Sequence, residues 1–292
     1  MKRCLLVSLL LGALAAASLA TASGAAAWAP EESATIHPGV MTFTNASSFL
    51  GGASQCTSNF VFTDASGGVY LGQAAHCSST GEDTETNGCT TKSLPLGTPI
   101  YSGDLVNGGL QPGTKIGTLA YNSWIAMQSA GEKDASTCAY NDLALIKVLP
   151  SLLANVNPTV PFWGGPDGLA PGVSTAGEQV YSYGDSILRG GVSALSPKTG
   201  VSLGDREETD GWSEQLYTVT PGVPGDSGSA FMNASGDALG VLSTVELAPL
   251  PGANGVGTLA KELAYANQAT GLGLTVASGT TPFSAVPTAP AK

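Results

Sequence analysis

The chain has 292 residues, with 22 Asp and Glu against 11 Lys and Arg and a formal net charge of −11. An acidic surface repels phosphate backbones and anionic lipids, so we expect neither nucleic acid nor a membrane surface as a partner. Gly (39 residues) and Pro (18) are abundant, and 11% of the residues are charged. The length suffices for one large all-β domain or two packed halves.

The first 22 residues have the pattern of a secretory signal peptide. Lys2 and Arg3 precede an apolar run over residues 5–20, and small residues follow. We expect cleavage between residues 22 and 30 and a secreted, extracellular, monomeric product with no membrane association in its mature form. Cleavage after residue 22 removes two basic residues and no acidic one, leaving 9 against 22 and a charge of −13. Residues 23–50 are then an N-terminal extension or a short pro-segment.

Short apolar segments separated by turn residues recur along the chain and predict strands. They lie at residues 60–62, 69–71, 115–119, 143–148, 180–183, 216–219 and 239–243. One helix is predicted from Thr258 to Thr270, where Leu259, Leu263 and Ala266 follow helical spacing and Gly271 can end it. Residues 273–292 are rich in Thr, Pro, Ala and Ser, which predicts a loose tail.

Four cysteines remain once Cys4 is lost with the signal peptide: Cys56, Cys77, Cys89 and Cys138. An even number in an exported protein indicates disulfides, and four cysteines allow three pairings. A metal site is the weaker interpretation, because the chain has no Cys-x-x-Cys or paired-histidine spacing. We therefore expect no metal.

The segment Pro224-Gly225-Asp226-Ser227-Gly228-Ser229 places a serine on a tight turn flanked by glycines. Ser227 is the candidate nucleophile. A serine hydroxyl is almost unreactive at neutral pH unless a base removes its proton, so this segment predicts a histidine and an acid elsewhere in the chain.

The chain has two histidines, His37 and His76. His76 is the better candidate base, because it follows a strand-like segment directly, whereas His37 lies in the N-terminal extension. An imidazole is mostly unprotonated at neutral pH and can accept the serine proton. Asp142, which immediately precedes the apolar strand at residues 143–148, is the candidate acid that would orient the imidazole; the alternative is an ordinary turn aspartate.

The segments Ala74-Ala75-His76-Cys77, Asn141-Asp142-Leu143-Ala144-Leu145 and Gly225-Asp226-Ser227-Gly228 together resemble motifs of the chymotrypsin-like serine proteases, bacterial secreted type, in the same chain order. The resemblance covers roughly residues 54–270 and is specific at the three motifs. It implies an all-β fold of two packed antiparallel six-stranded β-barrels with a C-terminal helix. The first barrel would span residues 51–155, and the second barrel with the helix residues 156–272.

The resemblance also implies the roles of individual residues. His76, Asp142 and Ser227 would form the catalytic triad, and the backbone N–H groups of Gly225 and Ser227 the oxyanion hole. Ser243 would hydrogen-bond Asp142. Family members pair the cysteine after the histidine with one upstream, which implies Cys56–Cys77 and leaves Cys89–Cys138. Such enzymes hydrolyse polypeptides without a metal or organic cofactor.

Other expectations concern the substrate pocket. Ser243, Thr244 and Val245 would pair with an extended substrate. Pro221 occupies the position where trypsin-like relatives have a specificity aspartate, and Val245 one where glycine is frequent. These residues favour small or medium apolar side chains before the cleaved bond. The alternative is a cationic side chain, which the Glu246 carboxylate could bind.

Asp226 needs a cation, because animal zymogens pair this acid with a freed N-terminus whose Ile-Val-Gly-Gly type of start is missing here. We expect Arg189 to take that place, as an internal arginine does in some bacterial relatives.

Two other functions use the same features. One is a binding module that keeps the protease fold without useful catalysis; the other is an esterase with the same triad. An α/β-hydrolase is disfavoured, because the order His, Asp, Ser differs from the order in that fold and the Gly-x-Ser-x-Gly elbow is missing.

Overall fold

The computed structural model describes residues 27–45, 55–81, 85–106, 109–246 and 252–286. The predicted signal peptide lies outside these residues, as do residues 46–54 and the last six residues. Within the described residues, no helix combines the length and the apolar character needed to cross a membrane.

The protein consists of two antiparallel β-structures. The first is an eight-stranded sheet in the order β14-β3-β4-β7-β6-β5-β1-β2. Its strands are β1 (Met41–Thr44), β2 (Gln55–Thr57), β3 (Val61–Thr63), β4 (Val69–Ala74), β5 (Pro99–Val106), β6 (Gly109–Asn122), β7 (Leu143–Val148) and β14 (Thr275–Val276).

The second is a closed six-stranded barrel in the order β10-β13-β12-β11-β8-β9. Its strands are β8 (Gln179–Tyr183), β9 (Pro197–Asp205), β10 (Ser213–Thr218), β11 (Ala230–Met232), β12 (Ala238–Glu246) and β13 (Ala253–Thr258). The predicted fold of two β-structures with a C-terminal helix is confirmed. The expectation of six strands in each holds for the second structure only, since the first has eight strands in an open hydrogen-bonding order.

Among the described residues, three α-helices accompany the sheets: α1 (Ser123–Ala130), α2 (Ala135–Tyr140) and α3 (Leu259–Thr270). Helix α3 is the predicted one, and Gly271 ends it in the left-handed region at φ 68°. The apolar periodicity of the sequence does not predict α1 and α2, which are short and begin at side-chain caps. The Asn122 side chain accepts from two backbone N–H groups of α1, and Asp134 caps α2. Helix α2 leads directly to Asn141 and Asp142.

The first sheet contains two strands that lie outside the predicted range of residues 51–155. The sheet begins at β1, within the predicted extension, because Met41–Thr44 pairs with both β2 and β5. The sheet also gains β14 from the predicted tail, where Thr275 and Val276 pair with β3.

The tail is ordered well beyond that strand. The Phe283 and Tyr181 rings pack edge to face, with 5.0 Å between their centroids, and the Ser284 N–H donates to the Trp163 carbonyl. Residues 273–286 are therefore not loose; apolar side chains spaced among Thr and Pro hold them against both halves.

One apolar core joins the two halves. It contains Phe60, Phe62 and Tyr70 of the first half together with Tyr181 and Met232 of the second. The connection over residues 149–178 begins with a 3₁₀ turn at Pro150–Asn155 and otherwise has no regular element. Because the halves share a core, their relative position is fixed by burial.

Candidate active site

Strand register brings His76 and Asp142 together. Strand β4 is buried throughout and ends at Ala74, which pairs with Leu143 at the start of β7. Ala75, which follows β4 directly, therefore lies beside Asp142, which precedes β7 directly. The Ala75 N–H donates to the Asp142 carbonyl at 2.8 Å. His76 follows in a 3₁₀ turn, Ala75–Ser78. The register of these two buried strands thus brings the candidate base and acid together.

The Asp142 carboxylate is buried and accepts several hydrogen bonds. The His76 N–H donates to Oδ1 at 2.9 Å, and His76 Nδ1 lies 2.7 Å from Oδ2. Ser243 Oγ, from the second half, donates to Oδ2 at 2.5 Å. A neutral imidazole that donates from Nδ1 has its lone pair on Nε2, and this nitrogen can accept a proton. The His76 side chain is 27% exposed and the Asp142 side chain 4%, so the candidate base is accessible while the candidate acid is not.

Ser227 lies on the loop between β10 and β11. Its carbonyl accepts from the Thr57 N–H of β2 at 2.8 Å, which attaches the loop to the first half. Gly228, at φ 89°, permits this approach, because a Cβ there would lie 2.4 Å from the Thr57 carbonyl oxygen. Among the hydrogen bonds of the described residues, none uses the backbone N–H of Gly225 or Ser227. Both donors are available to an oxyanion.

A cavity of about 750 Å³ lies between the two halves, and His76, Asp142, Gly225 and Ser227 all line it. Ser243, Thr244 and Val245, the candidate substrate contacts, line it as well.

The structure places Pro221 outside the cavity lining, where its carbonyl accepts from Arg189 Nη2 at 3.2 Å. The neighbouring Gly222 lines the wall instead. Its Cα faces Leu242 and Val245, whose methyl groups would lie 3.2 and 3.3 Å from a Cβ built there. Gly222 therefore packs closely against two residues that also line the cavity. The side chain of Glu246 lies outside the described residues.

Asp226 is fully buried and pairs with two cations. Arg189 donates through Nη2 to Oδ2 and through Nε to Oδ1 at 3.3 Å, and its Nη1 donates to the Leu195 carbonyl. Lys198, which the sequence analysis missed, also points at this carboxylate, with Nζ 3.2 Å from Oδ2. Burial lowers the pKa of Lys198 to about 8, although the nearby Asp226 carboxylate opposes that shift. Lys198 lies in β9, and no local sequence motif distinguishes it as a partner of Asp226.

The structure contains the disulfides Cys56–Cys77 and Cys89–Cys138. The first joins β2 to the turn that carries His76. In the described part of the chain, Cys56, His76 and Cys77 form the one group of three potential metal-ligating side chains. Both thiols of that group are consumed by the disulfide, so it offers no thiolate to a metal.

Glu262, another residue missed from sequence, lies behind Asp142 in the first turn of α3. Its Oε1 accepts from the Asp142 N–H at 2.9 Å. Burial raises the pKa of Glu262 to about 8, although the hydrogen bond from the Asp142 N–H opposes that shift. None of the ion pairs found among the described residues includes Glu262, so the neutral acid is the form that suits this position.

The solved structures similar to this chain include proteases from several organisms. Thermobifida fusca protease A is 16% identical, with a TM-score of 0.50, and the match covers 84% of this chain and 99% of that one. Cellulomonas bogoriensis chymotrypsin is 16% identical, with a TM-score of 0.43 and coverage of 83% and 98%. Nocardiopsis protease is 16% identical, with a TM-score of 0.43 and coverage of 82% and 98%.

The similarity to the Thermobifida protease shows that this chain has the chymotrypsin-like serine protease fold. No protein-family model matches the chain, and a search of curated proteins gives no match.

Replacing Arg189 tests the buried ion pairs. We expect Arg189→Ala to lower the free energy of unfolding by about 3 kcal/mol, because Asp226 loses its principal buried cation. Arg206→Ala is the matched control: Arg206 pairs with Glu208 at the surface, with side chains 35% and 57% exposed, and should cost less than about 1 kcal/mol. Urea unfolding followed by circular dichroism measures both values. Equal losses would show that Arg189 does not stabilise Asp226.

Replacing Glu262 tests its protonation. A carboxyl whose pKa is raised on folding stabilises the fold below its unfolded pKa, and this contribution is lost as pH rises through the folded value of about 8. Relative to Glu262→Gln, the wild-type protein should therefore lose on the order of 3 kcal/mol of stability between pH 5 and pH 8. Denaturant unfolding at both pH values measures the difference. A constant difference would mean that Glu262 titrates normally.

Proposed function

We propose that the chain is a secreted serine endopeptidase that hydrolyses peptide bonds through Ser227, His76 and Asp142. The observation that carries the proposal is the 2.7 Å contact between His76 Nδ1 and the buried Asp142 carboxylate, with Ser227 on the wall of the same cavity. The fold of the chain, which is that of chymotrypsin-like serine proteases, supports the same chemistry.

In the proposed reaction, His76 accepts the Ser227 hydroxyl proton as Ser227 Oγ attacks the substrate carbonyl carbon. The carbonyl oxygen becomes an oxyanion and accepts hydrogen bonds from the N–H groups of Gly225 and Ser227. His76 then protonates the leaving amine as the C–N bond breaks, which leaves an acyl-enzyme. Water, deprotonated by His76, attacks the ester, and the acid product departs as Ser227 regains its proton.

The substrate would bind as an added strand along Ser243, Thr244 and Val245. Strand β12 pairs with β11 only between Ala238 and Val241, so beyond this point its edge toward the cavity has no strand partner among the described residues. Main-chain hydrogen bonds along such an edge bind extended polypeptides with little dependence on their side chains.

Labelling tests the nucleophile. We expect diisopropyl phosphorofluoridate to modify Ser227 stoichiometrically and to abolish cleavage of casein, as seen by intact mass and peptide mapping. Ser227→Ala should remain folded, resist labelling and lose at least about 10⁴-fold in kcat. A folded wild-type protein that neither labels nor cleaves would refute the proposal and leave a binding module; cleavage of small esters alone would indicate an esterase. The intact mass of protein recovered from the medium also tests the proposed signal cleavage.

We further propose a preference for small or medium apolar residues before the cleaved bond, because the side chains of Val245 and Leu242 lie close to Gly222 and narrow the cavity there. Val245→Gly should raise kcat/KM for phenylalanine relative to alanine at this position by about tenfold, as measured with peptide p-nitroanilides. Val219→Gly is the matched control, since Val219 is exposed and is not part of the cavity wall. A wild-type preference for Lys or Arg would contradict the proposal.

A further inference from the structure

The tight turn before Ser227 has the geometry of a type II turn. The Asp226 N–H donates to the Val223 carbonyl at 2.9 Å, which closes a four-residue turn with Pro224 and Gly225 at its centre. Gly225 has φ 96°, and a positive φ at the third turn residue after a proline is typical of a type II turn. Rotating the central peptide would convert it to a type I turn, which the backbone of Gly225 also permits.

This rotation decides whether an oxyanion hole exists. The carbonyl and N–H of a trans peptide point in opposite directions. Reversing the Pro224–Gly225 peptide would turn the Gly225 N–H away from the cavity. It would also direct the Pro224 carbonyl toward the Ser227 N–H, three residues on, which is the spacing of a second turn hydrogen bond. Both proposed oxyanion donors would then be lost in one step.

A buried serine opposes that rotation. Ser186 Oγ donates to the Pro224 carbonyl at 2.6 Å and accepts from the Leu188 N–H at 3.1 Å, so its single proton has one acceptor. Ser186 is 1% exposed and does not line the cavity. The Pro224 carbonyl therefore faces the interior, and the N–H of the same peptide faces the opposite side, where Gly225 lines the cavity.

The next carbonyl is held from the first half of the molecule. Gln55 Nε2 donates to the Gly225 carbonyl at 2.9 Å, and Thr57 Oγ1 donates to it at 2.8 Å. Gln55 also donates to the Asp185 carbonyl and accepts from the Ile187 N–H, both at 3.0 Å. One amide therefore connects the turn to the two residues that flank Ser186. The carbonyls on both sides of the Gly225 N–H are thus fixed.

We propose that Ser186 is a positioning residue for the hydrolysis, supported by Gln55: its hydroxyl holds the Pro224–Gly225 peptide in the type II orientation and keeps the Gly225 N–H directed at the oxyanion. This inference rests on the proposed function. It assigns to Ser186 an effect on the transition state and none on ground-state binding, because an oxyanion forms only as the carbonyl is attacked.

Ser186→Ala tests the inference. With a peptide p-nitroanilide carrying alanine before the cleaved bond, we expect kcat to fall by about tenfold or more and KM to stay within about threefold. The inhibition constant of a peptide boronic acid, whose tetrahedral adduct places an oxygen in the oxyanion hole, should rise by a similar factor. A crystal structure of the variant should show the Pro224 carbonyl turned toward the Ser227 N–H.

Ser182→Ala is the matched control, because Ser182 is equally buried and its hydroxyl has no hydrogen-bond partner among the described residues. It should leave kcat and the inhibition constant unchanged. If thermal melting shows that Ser186→Ala does not fold, Gln55→Met removes the amide donors at nearly constant volume, and the same loss in kcat is expected. Folded variants with wild-type kcat and an unrotated peptide would overturn the inference. Failure of the wild-type protein to label or cleave would instead refute the proposed function.

Discussion

The hydrogen bond from the Thr57 N–H to the Ser227 carbonyl, 2.8 Å long, joins the two halves at the point where the chemistry is proposed. The candidate base and acid belong to the first sheet, whereas the candidate nucleophile belongs to the barrel. No local sequence rule can set the distance between them, so contacts across the interface must do it. Gly228 is required here because any side chain would separate the two backbones.

A second cross-interface contact acts on the acid. Ser243 of the barrel donates to Asp142 of the first sheet, and Glu262 of α3 accepts from the Asp142 backbone. The carboxylate is thus oriented by both halves, so a shift of one half against the other would weaken its contact with His76. The shared apolar core around Phe60, Tyr181 and Met232 resists such a shift through close packing.

A set of buried charged side chains contacts the turn formed by residues 223–226. The Asp226 carboxylate would be costly to bury alone, and Arg189 and Lys198 compensate its charge. The same carboxylate accepts from the Val223 N–H at 3.1 Å and so reinforces the turn from below. Gly184 makes room for this arrangement, because a Cβ there would lie 2.1 Å from Lys198 Nζ. Ser186 and Gln55 then orient the turn from the sides. The ion pairs of Asp226 stabilise the turn, whereas the hydrogen bonds from Ser186 and Gln55 fix the orientation of its peptide groups.

The sequence by itself determined the elements and groups that local patterns encode: the apolar strands, the helix that ends at Gly271, and the three motifs that contain His76, Asp142 and Ser227. Tertiary structure decided the rest. The pairing of β14 with β3, the approach of Lys198 to Asp226, and the contacts of Ser186 and Gln55 with the turn all join residues far apart in the chain. Periodicity and short motifs report only on neighbours along the chain, whereas burial and hydrogen bonding act between neighbours in space.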